Sequence, residues 1–196
     1  MNKLFISLIV SVLFLACNNS SNENSANEGS TYYVAISQMN MESLEKEIKK
    51  REKALKQDST KMDKRKAADL MEAYATYADR FSNRANSADR LFKAGELAMG
   101  LNHTTTAIKY LLKVYDEYPD YEKRPYSLFL HAFVLENQAQ DLDQAKALYE
   151  KFILEYPSHP MTDDAKYSID NMGKSPEELI REFEIRDSTK KAQGAV

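Results

Sequence analysis

The amino-acid sequence predicts an all-α fold, a solenoid of about four helical hairpins. The first observation is the small number of helix-breaking residues, because the chain has only five glycines and five prolines, placed at segment ends. The second is repetition, because sets of apolar residues recur every 37 or 38 positions. A helix pair of that length cannot bury its apolar face alone, so we expect successive pairs to stack into one continuous core.

The chain begins with a segment typical of an export signal. Lys3 precedes an apolar run over residues 4–15, which is too short to span a bilayer at roughly 20 residues. We therefore expect residues 1–16 to be a cleaved signal peptide. Residues 14–17 (Phe-Leu-Ala-Cys) resemble the lipobox of bacterial lipoproteins, although leucine is usual in the first place. The resemblance implies a diacylglycerol and an amide-linked acyl chain such as palmitate on Cys17, enough for stable anchoring. A plain secretory signal is the alternative.

A flexible tether is predicted for residues 17–30. These residues are mostly small and polar and have no periodic apolar positions. Cys17 is also the only cysteine of the chain, so its lipidation leaves no thiol for a disulfide or a cysteine zinc site. The exported domain must then fold on its core alone.

Residues 31–60 form an N-terminal segment that contains one charged helix, predicted near residues 40–57. This helix either opens the first repeat or packs across it as an extension. The run from residue 41 to residue 66 has ten lysines or arginines and six acids, although the formal charge of the whole chain is −3. A basic end of this kind can contact anionic headgroups. The favoured interpretation is a solvated helix face on which glutamates and lysines pair at helical spacing.

Residues 61–187 contain the repeats. The second helices of two hairpins share a pattern, and residues 38 positions apart correspond: Ala107, Leu111, Val114, Tyr118 and Pro119 match Ala145, Tyr149, Phe152, Tyr156 and Pro157. An earlier register lies 37 positions before the first: Leu70, Tyr74, Tyr77 and Phe81. The first helices form a second series at a spacing of 37: Leu91, Gly95 and Ala98, then Leu128, Ala132 and Leu135, then Ala165, Ile169 and Met172.

This pattern resembles the tetratricopeptide repeat family. The family places a small residue in the first helix of each pair, here Gly95 and Ala132, and an alanine at the start of the second helix, here Ala107 and Ala145. A large residue follows four positions later, and a proline ends the helix. The resemblance is strongest over residues 87–119 and 124–157, and it implies stacked helical hairpins. The repeat is longer than the usual 34 residues of the family, so we expect extra residues in the loops.

Local signals support the helix ends. Asp141 and Gln144 have the spacing of a capping box, and a serine, a proline and two acids at residues 175–178 are typical of a helix start. Leu179, Ile180 and Phe183 predict one apolar stripe on the last helix. Residues 188–196 are predicted to be a frayed tail.

The resemblance also implies a partner-binding groove along the first helices, because these helices line the concave side of tetratricopeptide arrays. The positions carried onto this chain are Phe92, Glu96, Met99, Phe129, Phe133 and Glu136, with Lys166 and Asp170 continuing the row. Tyr126 shares one side of its helix with Phe129 and Phe133. This aromatic side is either a groove or part of the core, and core packing is the more usual role of such a stripe.

Sequence motifs give little support to catalysis. The three histidines have no companion ligands at metal-binding spacing, and no glycine-rich phosphate loop or nucleophile motif is present. We expect no enzymatic activity, no metal and no cofactor. An acidic chain also lacks the positive field that nucleic-acid binding requires, so no nucleic-acid partner is expected.

A lipid-anchored array of these repeats resembles two groups of envelope proteins. One is the tetratricopeptide lipoprotein of the outer-membrane β-barrel assembly machinery, and the other is the periplasmic coordinator of the Tol-Pal system. The resemblance implies a scaffold or adaptor that binds envelope proteins or peptides, held by the lipid on Cys17 at the outer membrane and facing the periplasm. The alternative is a carbohydrate- or peptide-binding lipoprotein that serves nutrient uptake.

Overall fold

The structure of the chain is a computed structural model that describes residues 35–57 and 62–193. The predicted signal peptide, Cys17, the tether and the last three residues of the predicted tail lie outside this part. The chain divides into two units, residues 1–37 and residues 38–196. Residues 35–37 of the first unit are helical. The helices described below belong to the second unit.

The described part of the second unit is helical and contains no strand. Each helix from α1 to α6 packs against the next one along the chain. The prediction of an all-α fold of repeated hairpins is therefore confirmed. The helices are α1 (Met41–Lys56), α2 (Lys64–Arg80), α3 (Ser87–Gly100), α4 (Thr104–Glu117), α5 (Arg124–Val134), α6 (Leu142–Glu155), α7 (Thr162–Asn171) and α8 (Pro176–Gln193).

The core is built from the residues that recur in the sequence. The second helices α4 and α6 bury their repeated positions completely: Ala107, Leu111, Val114, Ala145, Tyr149 and Phe152. The first helices bury the other series against them, including Leu91, Leu128, Ala132 and Ala165. Burial of a large apolar side chain contributes roughly 1.5–3 kcal/mol, so these positions supply most of the stabilisation of the array.

The charged helix α1 packs against α2 as the first helix of the first hairpin. Leu44 and Ile48 of α1 are buried in this contact. Two tyrosine hydroxyls of α2 donate hydrogen bonds to carboxylates of α1, Tyr77 to Glu45 Oε1 at 2.9 Å and Tyr74 to Glu52 Oε1 at 2.6 Å. The array of hairpins thus begins at Met41, within the segment predicted to precede it.

Arg90 joins the next helix, α3, to this first hairpin. Its guanidinium carbon lies 3.8 Å from the centroid of the Tyr77 ring, and its Nη2 lies 3.7 Å from Glu45 Oε1. A guanidinium over an aromatic face gains electrostatic attraction, and the gain increases when water is excluded. Arg90 is almost fully buried, so this contact fixes α3 against both helices of the hairpin.

Helices begin at both predicted capping positions, but one of the two capping boxes has a different hydrogen-bond pattern from the one predicted. Ser175 and Glu178 form a complete capping box, in which each backbone amide donates to the side chain of the other residue. Asp141 accepts from the backbone amide of Gln144, but the Gln144 side chain donates to the Asp141 carboxylate instead of reaching back to its amide. The Asp141 amide is unavailable because it donates to the carbonyl of Leu135.

The end of α5 widens into a π-helix, Leu135–Ala139. The first helices α3 and α5 start 37 residues apart, whereas the second helices α4 and α6 start 38 apart, so the third hairpin contains one extra residue. A π turn closes i→i+5 bonds and accommodates one residue more than an α turn. The extra residue is therefore held in the helix here, not in a loop as the repeat length suggested. Gln140 ends the π turn with a φ of 56°.

The last helix, α8, packs much less closely than the others. Ile180, Phe183 and Ile185 are each about half exposed, and Leu179 is half-buried. Ile185 lies on the opposite side from Leu179 and Phe183, so the helix has no single apolar stripe, contrary to the prediction. The helix continues to Gln193 and includes most of the segment that was predicted to fray.

Gly95 provides a test of the close packing between α3 and α4. A Cβ at this position would lie 3.0 Å from Leu111 Cδ2, whereas a Cβ at Gly100 would meet only Met62 Cε at 3.8 Å. We expect Gly95→Ala to lower the free energy of unfolding by about 1–3 kcal/mol because Leu111 must move. Gly100→Ala is the matched control, expected to stay within about 1 kcal/mol of the wild type. Urea denaturation followed by circular dichroism measures both, and equal effects would contradict the close approach.

His131 predicts a dependence of stability on pH. Burial lowers the pKa of its imidazole, an effect that Asp116 opposes and Lys151 reinforces. The unfolded chain therefore binds more protons than the folded chain below the ordinary histidine pKa of about 6.5, and the free energy of unfolding falls as the pH falls through this range. We expect His131→Gln to flatten this dependence in urea titrations between about pH 7.5 and pH 5.5. Parallel curves for variant and wild type would show that His131 does not cause it.

Candidate protein-binding groove

A groove of about 390 Å³ opens between α1, α2 and α3. Three leucines from three different helices form its apolar walls: Leu55, Leu70 and Leu97. Polar and charged side chains complete the lining: Glu52, Lys56, Tyr74, Lys93 and Glu96. We call this site the α1–α3 groove. Apolar walls with a few polar groups are the usual composition of a site that binds an extended ligand or a side chain.

Hydrogen bonds hold two walls of the α1–α3 groove in place. Tyr74 donates to Glu52, and burial together with this carboxylate raises the pKa of the tyrosine, which stays protonated at neutral pH. On α3, Lys93 Nζ lies 2.8 Å from Asp89 Oδ2. Burial favours the neutral form of Asp89, but the hydrogen bonds from Lys93 and Tyr121 and the charges of Lys93 and Lys123 together outweigh it, and the pKa of Asp89 is lowered. Glu52 and Lys93 are thus already occupied by partners within the fold.

Glu96 is the acid of the α1–α3 groove that has no such partner. It forms no hydrogen bond or ion pair with any residue that the structure describes. Its side chain is exposed, and partial desolvation raises the pKa of its carboxyl, an effect that Lys123 and Lys93 oppose and Asp89 reinforces. An exposed carboxylate without a partner in the fold is accessible to a cationic or hydrogen-bond-donating ligand, and such a ligand favours its charged form.

Two of the residues predicted for the groove, Phe92 and Phe129, lie in the core. The Phe129 ring packs edge-on against Tyr149 and Phe152, with centroids 5.4 and 5.6 Å apart. The Phe92 ring packs against Tyr121 at 6.1 Å. Both phenylalanines are buried, so their contribution is to packing, and their rings are not presented to a partner.

The other predicted residues of the row are partly accessible. Tyr126 and Phe133 of α5 are more than a third exposed, and Met99 is half-buried. Tyr126 also contacts His159, with ring centroids 4.6 Å apart. Glu136 accepts a hydrogen bond from the Tyr149 hydroxyl at 2.8 Å, which ties the end of α5 to α6. A binding role for these residues stays a prediction.

The row continues onto α7 as predicted by position. Lys166 and Asp170 are both exposed, and Lys166 Nζ lies 3.0 Å from Asp163 Oδ1. These side chains face solvent, but the described contacts do not bring them together with the α1–α3 groove.

A larger and more polar cavity of about 570 Å³ lies at the loop ends of the hairpins. The loop between α2 and α3 and the end of α4 with its following loop line it, and the charged lining residues are Arg84, Glu117, Asp120 and Glu122. Its less polar lining consists of two alanines, a proline and two tyrosines, without the leucines that line the α1–α3 groove.

The described ranges contain neither a metal-binding cluster nor a membrane-spanning helix. No group of three or more histidine, cysteine, aspartate or glutamate side chains there is arranged to hold a metal ion. No helix within residues 35–57 and 62–193 is both long and apolar enough to cross a bilayer.

Of the eight residues that line the α1–α3 groove, the sequence pattern predicts only Glu96 for a groove, and it misses all the apolar ones: Leu55, Leu70 and Leu97. Leu70 and Tyr74 were recognised as repeated apolar positions, and such positions predict core. Leu55 belongs to the charged helix, and the sequence leaves open whether this helix opens the first repeat. A prediction that α1 pairs with α2 as a hairpin would have identified the site, because α1 then contributes Leu55 to the groove that Leu97 also lines.

Comparison with known proteins supports the repeat interpretation. Residues 91–121 and 126–159 match the model of the tetratricopeptide repeat. These stretches correspond closely to the hairpins α3–α4 and α5–α6. No curated protein and no solved structure matches the chain. The prediction of tetratricopeptide repeats is confirmed for these hairpins, and repeats of this type mediate binding between proteins.

Phe129 and Phe133 stand one turn apart on α5 and allow core and surface to be distinguished. We expect Phe129→Ala to lower the free energy of unfolding by about 3–5 kcal/mol, because it leaves a cavity beside Tyr149 and Phe152. Phe133→Ala, with its ring more than a third exposed, is expected to cost about 1 kcal/mol or less. Equilibrium urea denaturation measures both variants. A large loss with Phe133→Ala would place that ring in the core as well.

Proposed function

We propose that the chain is a lipid-anchored adaptor of the cell envelope that binds other envelope proteins along the first helices of its hairpins. The repeat match supports a role in protein binding, because stacked hairpins present a long surface to a partner. The binding site is the α1–α3 groove, extended along the array by the exposed rings of Tyr126 and Phe133.

The observation that carries this proposal is the composition of the α1–α3 groove. Leu55 and Leu97, which are both partly exposed, offer an apolar surface to one side chain of a partner, and Glu96 stands beside it without an ion pair in the described part of the chain. A segment with an apolar residue next to a lysine or arginine satisfies both features. Apolar contact then supplies affinity, and the carboxylate supplies specificity.

The anchor is the second part of the proposal. The resemblance of residues 14–17 to a lipobox supports lipidation of Cys17, and residues 17–30 have the composition of a spacer. The protein then stands at the outer membrane and faces the periplasm. Its partners are components of outer-membrane β-barrel assembly or of the Tol-Pal system, the two pathways whose proteins the chain resembles.

Site-specific photocrosslinking in the native envelope tests the binding surface. A photoreactive amino acid replaces Leu97 in the α1–α3 groove, Phe133 on α5, or Leu154 on α6. Leu154 is the matched control, because it is an apolar residue 81% exposed on a second helix. We expect a discrete crosslinked partner from Leu97 and Phe133 and none from Leu154. Equal capture from all three positions would show that the first helices are not the binding surface.

The identity of the captured protein and a Cys17→Ser variant complete the experiment. Recovery of β-barrel assembly or Tol-Pal components selects the pathway, whereas a nutrient transporter would favour the uptake alternative. We expect Cys17→Ser to abolish incorporation of labelled palmitate and to release the protein from the outer-membrane fraction, with Ser20→Ala as the unaffected control. Unchanged labelling in Cys17→Ser would exclude the lipid anchor.

A further inference from the structure

A stripe of five lysines runs along the solvent side of α1. The residues are spaced i, i+3, i+4, i+7 and i+10, so they share one face of about 120°. All five are exposed, and Leu44 and Ile48, which are buried against the array, lie on the opposite face. The stripe spans about 15 Å at 1.5 Å per residue. We call it the lysine stripe: Lys46, Lys49, Lys50, Lys53 and Lys56.

The acids of α1 do not neutralise the lysine stripe, because most of them point toward the array. Glu45 and Glu52 accept hydrogen bonds from Tyr77 and Tyr74 of α2. Glu47, which is only 17% exposed, accepts a hydrogen bond from Arg51 Nε at 2.8 Å. The fold thus directs Glu45 and Glu52 to partners on α2, and Glu47 to a cation of α1 itself.

Only one end of the stripe retains ion pairs with acids of α1. Lys46 Nζ lies 2.7 Å from Glu42, and Lys50 Nζ lies 3.5 Å from Glu47. Lys49, Lys53 and Lys56 form no ion pair with any residue in the described ranges. The favoured interpretation of a solvated face with paired glutamates and lysines thus holds for Lys46 and Lys50, and the other three lysines are solvated without such a pair.

Several lysines elsewhere in the array pair with an acid of another segment. Lys113 pairs with Asp79 at 2.6 Å and Lys174 with Glu182 at 2.8 Å. The chain as a whole has a net charge of −3. The lysine stripe is therefore a positive strip on the first helix of an otherwise acidic array.

We propose that the lysine stripe lies against an anionic membrane surface and binds the phosphate groups of its lipid headgroups. Clusters of four to eight basic residues on a helix bind anionic lipids, and each lysine near the surface raises the affinity about fivefold. A flat bilayer can meet the stripe alone and leave the acidic helices in solvent. A long nucleic acid would extend beyond the stripe and meet repulsion from those helices.

The stripe is also close in sequence to the predicted membrane anchor. It begins 29 residues after Cys17, within reach of the same membrane.

Residue-resolved lysine labelling tests this proposal on the full chain. The protein is reconstituted into vesicles of phosphatidylcholine, with or without about one third phosphatidylglycerol, and is treated with a membrane-impermeant acylating reagent. The chain is used with residues 1–16 retained, so that its apolar segment 4–15 attaches it to the vesicle and the test does not depend on lipidation. Mass spectrometry then gives the labelling rate of each lysine. Three exposed lysines of other helices serve as references in the same molecule: Lys109, Lys146 and Lys166.

We expect anionic vesicles to slow labelling of the lysine stripe about fivefold relative to neutral vesicles and to leave the reference lysines unchanged. Screening at about 0.5 M salt should abolish the difference, because the Debye length falls well below 10 Å. Equal slowing of stripe and reference lysines, or no slowing, would overturn the proposal. Equal protection by a soluble polyanion such as heparin would also overturn it, since the stripe would then be a general anion site.

Two triple variants with the same change of charge provide the matched control. Substitution of Lys49, Lys53 and Lys56 by glutamine should remove the slowing at the remaining Lys46 and Lys50. Substitution of the three reference lysines by glutamine should preserve it. If both variants behave alike, net charge and not the stripe determines the contact.

Discussion

The close approach of the two helices within a hairpin is the constraint on which the rest of the array depends. Gly95 of α3 lies so near Leu111 of α4 that any side chain at this position would displace it. In the next hairpin, Ala132 occupies the equivalent place and the larger Tyr149 lies in the second helix. Small residues on first helices thus leave room for large residues on second helices. This complementarity fixes the distance between helices and lets each pair present the same face to the next.

Hydrogen bonds between helices fix the orientation of the packed pairs, and in several of them the donor is an uncharged tyrosine hydroxyl. Tyr77 and Tyr74 bind carboxylates of α1, and Tyr115 of α4 donates to Glu155 of α6 at 2.6 Å. In these contacts a neutral hydroxyl donates to the carboxylate, and the cations Arg90 and Lys151 lie farther away, within 4 Å of Glu45 and Glu155. Glu45 and Glu52 thus face the array, while the lysines of α1 face outward.

The sequence predicted most of the fold but only part of the candidate site. Repeated positions such as Leu111 and Phe152 identified the core because their spacing records which face each helix buries. The capping residues Asp141 and Ser175 located helix starts for a similar local reason. The pattern did not separate Phe129 from Phe133, because both are apolar and one turn apart, and their difference in burial is set by which neighbouring helix covers them. The α1–α3 groove was missed because its walls come from three helices with unequal connecting loops.

The π-helix Leu135–Ala139 shows how an array of repeats can tolerate the insertion of one codon in one of its repeats. One codon more in the third hairpin shifts no later residue out of register, because the widened turn absorbs it before α6 begins. Side chains of the turn satisfy the displaced carbonyls, and Gln138 even caps the end of α3 through the Met99 carbonyl at 2.9 Å. An insertion at this point therefore does not rotate buried side chains out of the core, so it does not destabilise the array in that way. Hairpins of unequal length can consequently descend from a common unit.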